Sequence, residues 1–169
     1  MNRFRIIVAI VCFICFANSV SAQVGYGYKA VGLRLGGGVN DRLIEISFQL
    51  EYDFMRHIEV DMFAVFQTRW FGYGFAGLHQ WRFPIKDKWS WYVGVGGAIG
   101  SWRNSVGGHE IEWQKKGTFF AIPLDGGIEY DMMHFPWRFG LDLRYNIPLI
   151  NQPGEDVLPM LTLSARYLF

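Results

Sequence analysis

Ser105, His109 and Glu110 fall close together in the stretch RNSVGGHEIEWQKKG, Arg103 to Gly117. A hydroxyl, an imidazole and a carboxylate are the parts of an acyl-transfer site, provided the base reaches the nucleophile and a third group orients the base. They share one irregular segment, so only its folding back would join them. His79 and Ser101 are a second pair, on one face of two neighbouring alternating segments. If the turn Pro84–Lys88 sets the register, His79 falls beside Val93 and Ser101 lies eight residues further along, about 25 Å away. That separation rules out a dyad. His57 and His134 fall at turns, where an interfacial role is expected, and no two histidines have metal-ligand spacing. GVGGAIG (residues 94–100) resembles a phosphate-cradling loop, but such a loop needs a helix after it and none is predicted. No catalytic residue, cofactor or metal site is predicted.

A larger set of reactive groups recurs at alternate positions. Arg34, Glu45, Glu51, Glu59, Asp61, Arg69, Arg82, Asp125, Glu129, Arg138, Asp142, Arg144 and Arg166 all face away from apolar neighbours in extended segments. If the apolar face is outermost, seven acids and six bases share a confined interior, where burial demands pairing. Counting from the short turns places Glu51, Glu59, Asp61 and Glu129 with Arg82, Arg138 and Arg166 at one end. Glu45, Asp125 and Asp142 fall with Arg34, Arg69 and Arg144 at the other. The turn before Trp137 should set Glu129 beside Arg138. Gly94, Gly96 and Gly100 point inward and leave room for arginines crossing from other segments. The chemistry this implies is a salt-bridge plug, with a proton or ion path as the alternative.

The elements that must hold these groups are strands. Two-residue alternation recurs along the chain and no 3.6-residue period is sustained. Eight strands are predicted at 26–38, 43–52, 57–69, 73–83, 89–102, 118–130, 137–147 and 158–169. In the third, Ile58, Val60, Met62, Ala64 and Phe66 alternate with Glu59, Asp61, Phe63, Val65 and Gln67. Connections after the second, fourth and sixth strands are short. Those after the fifth and seventh are longer, at Arg103–Gly117 and Pro148–Val157. Such asymmetry fits a closed, all-β, eight-stranded antiparallel up-and-down transmembrane barrel with both termini at the short-turn end. A secreted lipocalin-like barrel has the same strand count. Against it stand the five lysines, all near strand ends or in loops, and two sets of terminal aromatics. One set is Trp89, Trp91, Tyr130, Phe135, Trp137 and Tyr167; the other is Trp70, Phe71, Tyr73, Trp102 and Trp113.

The N-terminus carries Arg3 and Arg5, an apolar run from Ile6 to Ala17, and small residues at Val20 and Ala22. This pattern predicts a signal peptide over residues 1–22, cleaved before Gln23, and a single barrel domain over 23–169. Cys12 and Cys15 leave with it, so the remaining chain holds no disulfide or thiolate site. Two arginines leave as well, and the formal balance moves from +1 to −1. No cationic excess points to nucleic acid.

The chain closes on LTLSARYLF, with Leu161, Leu163, Ala165, Tyr167 and Phe169 on one face. A terminal Phe, a Tyr two residues earlier and alternate apolar residues resemble the assembly signal of Gram-negative outer-membrane barrels. AVGLRLGGG, FAGLHQW and WYVGVGGAIGSW are similar to segments of small barrels of this class, of the outer membrane protein X and OmpA transmembrane-domain type. The resemblance implies that Leu163, Ala165, Tyr167 and Phe169 are read by the barrel-assembly machinery, after escort by periplasmic chaperones. It also implies surroundings of outer-membrane lipid and lipopolysaccharide. Some members of the class modify lipopolysaccharide as deacylases or acyltransferases, and a small pore is a further alternative. The expected role is non-enzymatic, structural or surface contact. His109, Ile111 and Trp113 in the longest loop are the candidate contact residues for an extracellular partner.

Overall fold

A computed structural model describes residues 27–38, 41–53, 55–67, 70–105, 113–132, 134–150 and 159–169. The expected signal peptide, Arg69, His109, Glu110 and Ile111 lie outside them, as do the side chains of Ser105 and Trp113. Eight strands follow in order: β1 (Lys29–Gly37), β2 (Asp41–Asp53), β3 (Arg56–Gln67), β4 (Trp70–Lys86), β5 (Trp89–Ser105), β6 (Trp113–Asp131), β7 (Trp137–Ile150) and β8 (Met160–Leu168). Each pairs antiparallel with its sequence neighbour, and β1 pairs with β8 to close the barrel. Closure leaves no free edge, so every strand finds partners on both sides. At the seam, Lys29 and Phe169 exchange backbone hydrogen bonds of 3.1 and 2.8 Å.

Alternation decides what faces in. In β3, His57, Glu59, Asp61, Phe63 and Val65 are buried, while Ile58, Val60, Met62 and Phe66 are exposed. The same parity holds in β7 and β8, where Leu141, Leu143, Leu161 and Leu163 point outward. An outward apolar face around a polar interior inverts the usual soluble arrangement.

Several boundaries differ from expectation. The β5–β6 hairpin continues through Ser105 and Trp113, and β7 runs on to Ile150. The β5–β6 addition is polar and irregular in pattern at Arg103–Ser105 and Gln114–Gly117, and the β7 addition carries the exposed Leu149 and Ile150, with Ile150 paired to Phe120. The turn between β4 and β5 is only Asp87–Lys88, with Asp87 at φ 53, a left-handed conformation that Asp tolerates. A bulge between Pro84 and Lys86 precedes it. His79 therefore pairs with Val95, two residues from the expected Val93. The β6–β7 turn is shifted similarly, so Arg138 pairs with Asp131 and Glu129 with Gly140.

Candidate functional site: the filled lumen

Inward positions of all eight strands converge on one cluster of charge. Arg34 of β1 stands at its centre, fully buried, with Glu59 at 3.0 Å, Glu45 at 3.3, Asp125 at 3.4, Asp142 at 3.5 and Asp61 at 3.6 Å. It also donates to the Tyr92 hydroxyl at 3.3 Å. Arg144 of β7 meets Glu45 at 2.8, Asp61 at 2.9 and Asp125 at 3.0 Å. Arg166 of β8 bridges Glu129 at 3.0 and Glu59 at 3.2 Å, and donates to Ser47 and Ser164. Neutral groups add further hydrogen bonds. Gln49 donates to Glu59 at 2.8 Å, Gln80 to Asp125 at 3.2 Å, and Thr162 to Asp142.

Toward the short-turn end the network opens to the mouth. Arg82 contacts Asp131 at 2.8, Glu129 at 3.2 and Glu51 at 3.7 Å, and donates to Ser90 at 2.7 Å. Arg138 donates to Asp131 at 2.6 Å and lies 3.8 Å from Glu129. The expected Glu129–Arg138 pair is thus the longer contact, and Asp131, unforeseen, is the nearer partner. A cavity of about 480 Å³ fills the mouth, lined by Arg82, Arg138, Glu51 and Asp131 among others.

The expected division into two layers does not hold. Asp61 pairs with Arg34 and Arg144, and Glu59 reaches Arg34, Arg144 and Arg166, so one continuous web spans both groups. His57 is not interfacial. It is buried inside, with its ring edge-on to Tyr92 at 6.2 Å and neither nitrogen hydrogen-bonded. Its parity with Glu59 and Asp61 was the signal that could have placed it. The inward glycines also serve differently: a Cβ at Gly94 would strike Gln80, and one at Gly100 the Phe119 ring, so these side chains rather than arginines occupy the space.

At the other end the lumen is apolar. Leu43, Phe63, Val65, Ala76, Leu78, Ala98, Phe119, Ala121 and Met160 form one buried cluster, with Trp70 and Trp102 packed on it. The Phe63 and Phe119 rings lie 6.1 Å apart. Trp70 and Trp102 therefore cap the interior and are not members of an outer aromatic girdle. A cavity of about 40 Å³ is left among these residues. The short-turn girdle residues do face outward, with Trp89 against Tyr130 at 4.9 Å and Trp137 against Tyr167 at 5.6 Å.

Among the described residues no acyl-transfer dyad forms on the wall. His79 faces outward against Trp81 and meets the Tyr52 hydroxyl at 3.3 Å, whereas Ser101 pairs with Tyr73. Val95 to Ser101 spans six residues, about 20 Å along the strand. Ser105 ends β5, and the histidine and glutamate that would join it lie outside the described residues. His134 is exposed in the β6–β7 turn. Leu163, Tyr167 and Phe169 are exposed on the outward face, and Ala165 is half-buried there.

No family model and no curated protein matches the chain. Solved structures do. The N-terminal β-barrel domain of OprF from Pseudomonas aeruginosa is similar with a TM-score of 0.69 and 13% identity, over 85% of this chain and all of that domain. Neisserial surface protein A is similar at 0.60 and 14% identity, over 84% of this chain and 95% of its own. Ail, the attachment invasion locus protein of Yersinia pestis, is similar at 0.54 and 13% identity, over 85% and 97%. At such identity the likeness speaks of the fold, and the fold of this chain is the closed eight-stranded β-barrel that these bacterial proteins share.

Proposed function

We propose that the protein is a non-enzymatic integral barrel of a Gram-negative outer membrane, with a plugged lumen and a structural or surface-contact role at its long-loop end. In this reading residues 1–22 are a signal peptide removed on export. One observation carries the proposal: apolar side chains cover the outside while ionised groups are buried within. Leu33, Phe75, Leu143 and Leu163 are each more than half exposed, and Arg34, Glu59 and Arg166 have no exposure at all. In water that arrangement would leave a broad apolar surface unburied; in a bilayer it costs nothing. The lipocalin-like alternative needs a ligand cavity deep within, whereas the middle of the lumen is occupied by side chains and the cavity of about 480 Å³ lies at the charged mouth.

Fractionation and gel migration test the proposal together. The protein should co-purify with outer membranes and migrate differently when unheated and boiled. Recovery from the soluble periplasmic fraction would overturn it. The lipopolysaccharide-modifying alternative has a separate readout. Lipopolysaccharide from cells with and without the protein should carry identical acyl chains by mass spectrometry, and a gained or lost chain would contradict the non-enzymatic reading.

A further inference from the structure

The cavity at the short-turn mouth is walled by charges that do not balance. Its lining holds the acids Glu51, Asp53, Asp87 and Asp131 and the bases Arg82, Lys88 and Arg138, four against three. The two guanidinium groups are turned to other carboxylates. Arg82 meets Asp131 at 2.8 Å and Glu129 at 3.2 Å, and Arg138 holds Asp131 at 2.6 Å. Glu51 is left with Arg82 at 3.7 Å. That contact is too long for a hydrogen bond, and among the described residues it is the one ion pair Glu51 makes. Beside it stands Tyr28, whose carbonyl accepts from the Glu51 amide at 3.0 Å and which is 66% exposed. Trp89 and Pro84 add apolar surface to the same lining.

A carboxylate short of a cation, next to accessible rings in a cavity of about 480 Å³, suits an ammonium group carried on an apolar stem. A metal ion suits it less well: among the described residues no three carboxylate or imidazole groups converge to hold one. An anion would meet the excess of carboxylates.

We propose that the mouth binds an alkylammonium group, either of a free small amine or of a lysine side chain. The nitrogen would sit on the Glu51 carboxylate, and the stem would run along Tyr28, Pro84 and Trp89. Arg82 would stay on Asp131 and Glu129, so the web beneath is undisturbed. With the ligand in place the lining carries four charges of each sign.

Titration calorimetry of the refolded mature chain in lipid nanodiscs, with empty nanodiscs subtracted, tests this with five probes. They are butylammonium, Nα-acetyl-lysine N-methylamide, 1-butanol, butyrate and Mg²⁺. The two ammonium probes should bind saturably at one site, and the tighter of them names the source of the ligand. Butanol and butyrate should give no saturable heat at the same concentrations, and Mg²⁺ should not displace butylammonium. Glu51→Gln should weaken butylammonium binding about ten-fold, the usual worth of a hydrogen bond to a charged group. Tyr28→Ala should weaken it about three-fold through the lost ring. Asp131→Asn leaves three acids against three bases and frees Arg82 to pair with Glu51, so it should weaken binding about as much as Glu51→Gln. Asp41→Asn, at the long-loop end of the strand that carries Glu51, should match the parent.

No binding of either ammonium probe, equal binding of butanol or butyrate, or displacement by an equal concentration of Mg²⁺ would overturn the site. So would full affinity in Glu51→Gln or Asp131→Asn, or an equal loss in Asp41→Asn. Heat-modifiable migration shows which variants are folded, and the probe comparisons on the parent decide the question without them.

Discussion

Toward the short turns the lumen is held by guanidinium and carboxylate groups drawn from every strand but β5; toward the long loops it is held by rings and methyl groups. The two fillings solve one problem differently. An eight-stranded barrel encloses a space that side chains alone can fill. Apolar filling gains from area and tolerates changes of shape. Ionic filling gains only when every buried charge finds its partner, so it is worth little as a sum and costs much when one member is removed. Arg34 shows the contrast best, because five carboxylates lie around one guanidinium.

Breaking the ionic half at its centre should therefore have the largest effect. Arg34→Ala is expected to lower stability by about 3–5 kcal/mol, read from urea unfolding of the refolded barrel in lipid vesicles. A cost below that of an apolar truncation would invert the comparison. In the other half, Phe119→Ala should cost about 3 kcal/mol by the same assay, from lost burial and an enlarged void beside the cavity already present.

The mouth lies between these extremes and sharpens the account. Arg138→Ala should cost about 1–3 kcal/mol, less than Arg34→Ala, since the adjoining cavity admits solvent to the stranded carboxylate. A double-mutant cycle should couple Arg138 to Asp131 by about 1 kcal/mol and to Glu129 by less, following contacts of 2.6 and 3.8 Å. Stronger coupling to Glu129 would return the register to the one expected from sequence. Smallest of all in the folded state is Phe169→Ala, which keeps the backbone bonds to Lys29 and removes a half-exposed ring. Unfolding should shift by less than about 1 kcal/mol, while the amount inserted in cells falls severalfold. Unchanged insertion would remove the assembly role from this residue.

The strand count, the closed order and the inward parity of the charges were legible because one buried polar face imposes a period of two. Three things were not. Strand ends above the apolar belt carry no such constraint, and so Arg103–Ser105 and Trp113–Gly117 read as loop. Hairpin register depends on where each turn closes, and the β4–β5 and β6–β7 turns each displaced the expected pairing, of His79 and of Glu129, by two residues. The apolar plug was hidden for another reason. Phe63 and Val65 share the parity of Glu59 and Asp61, but that they meet Leu43, Phe119 and Met160 at one height follows from strand stagger, which no single segment reveals.

Both fillings together make one claim: the lumen is closed to ions. Planar-bilayer recording of the purified, refolded parent tests it most directly. The account predicts insertion without steady conductance, because the ionic web and the apolar cluster lie in series across the barrel. A stable open channel in the unmodified protein would contradict it.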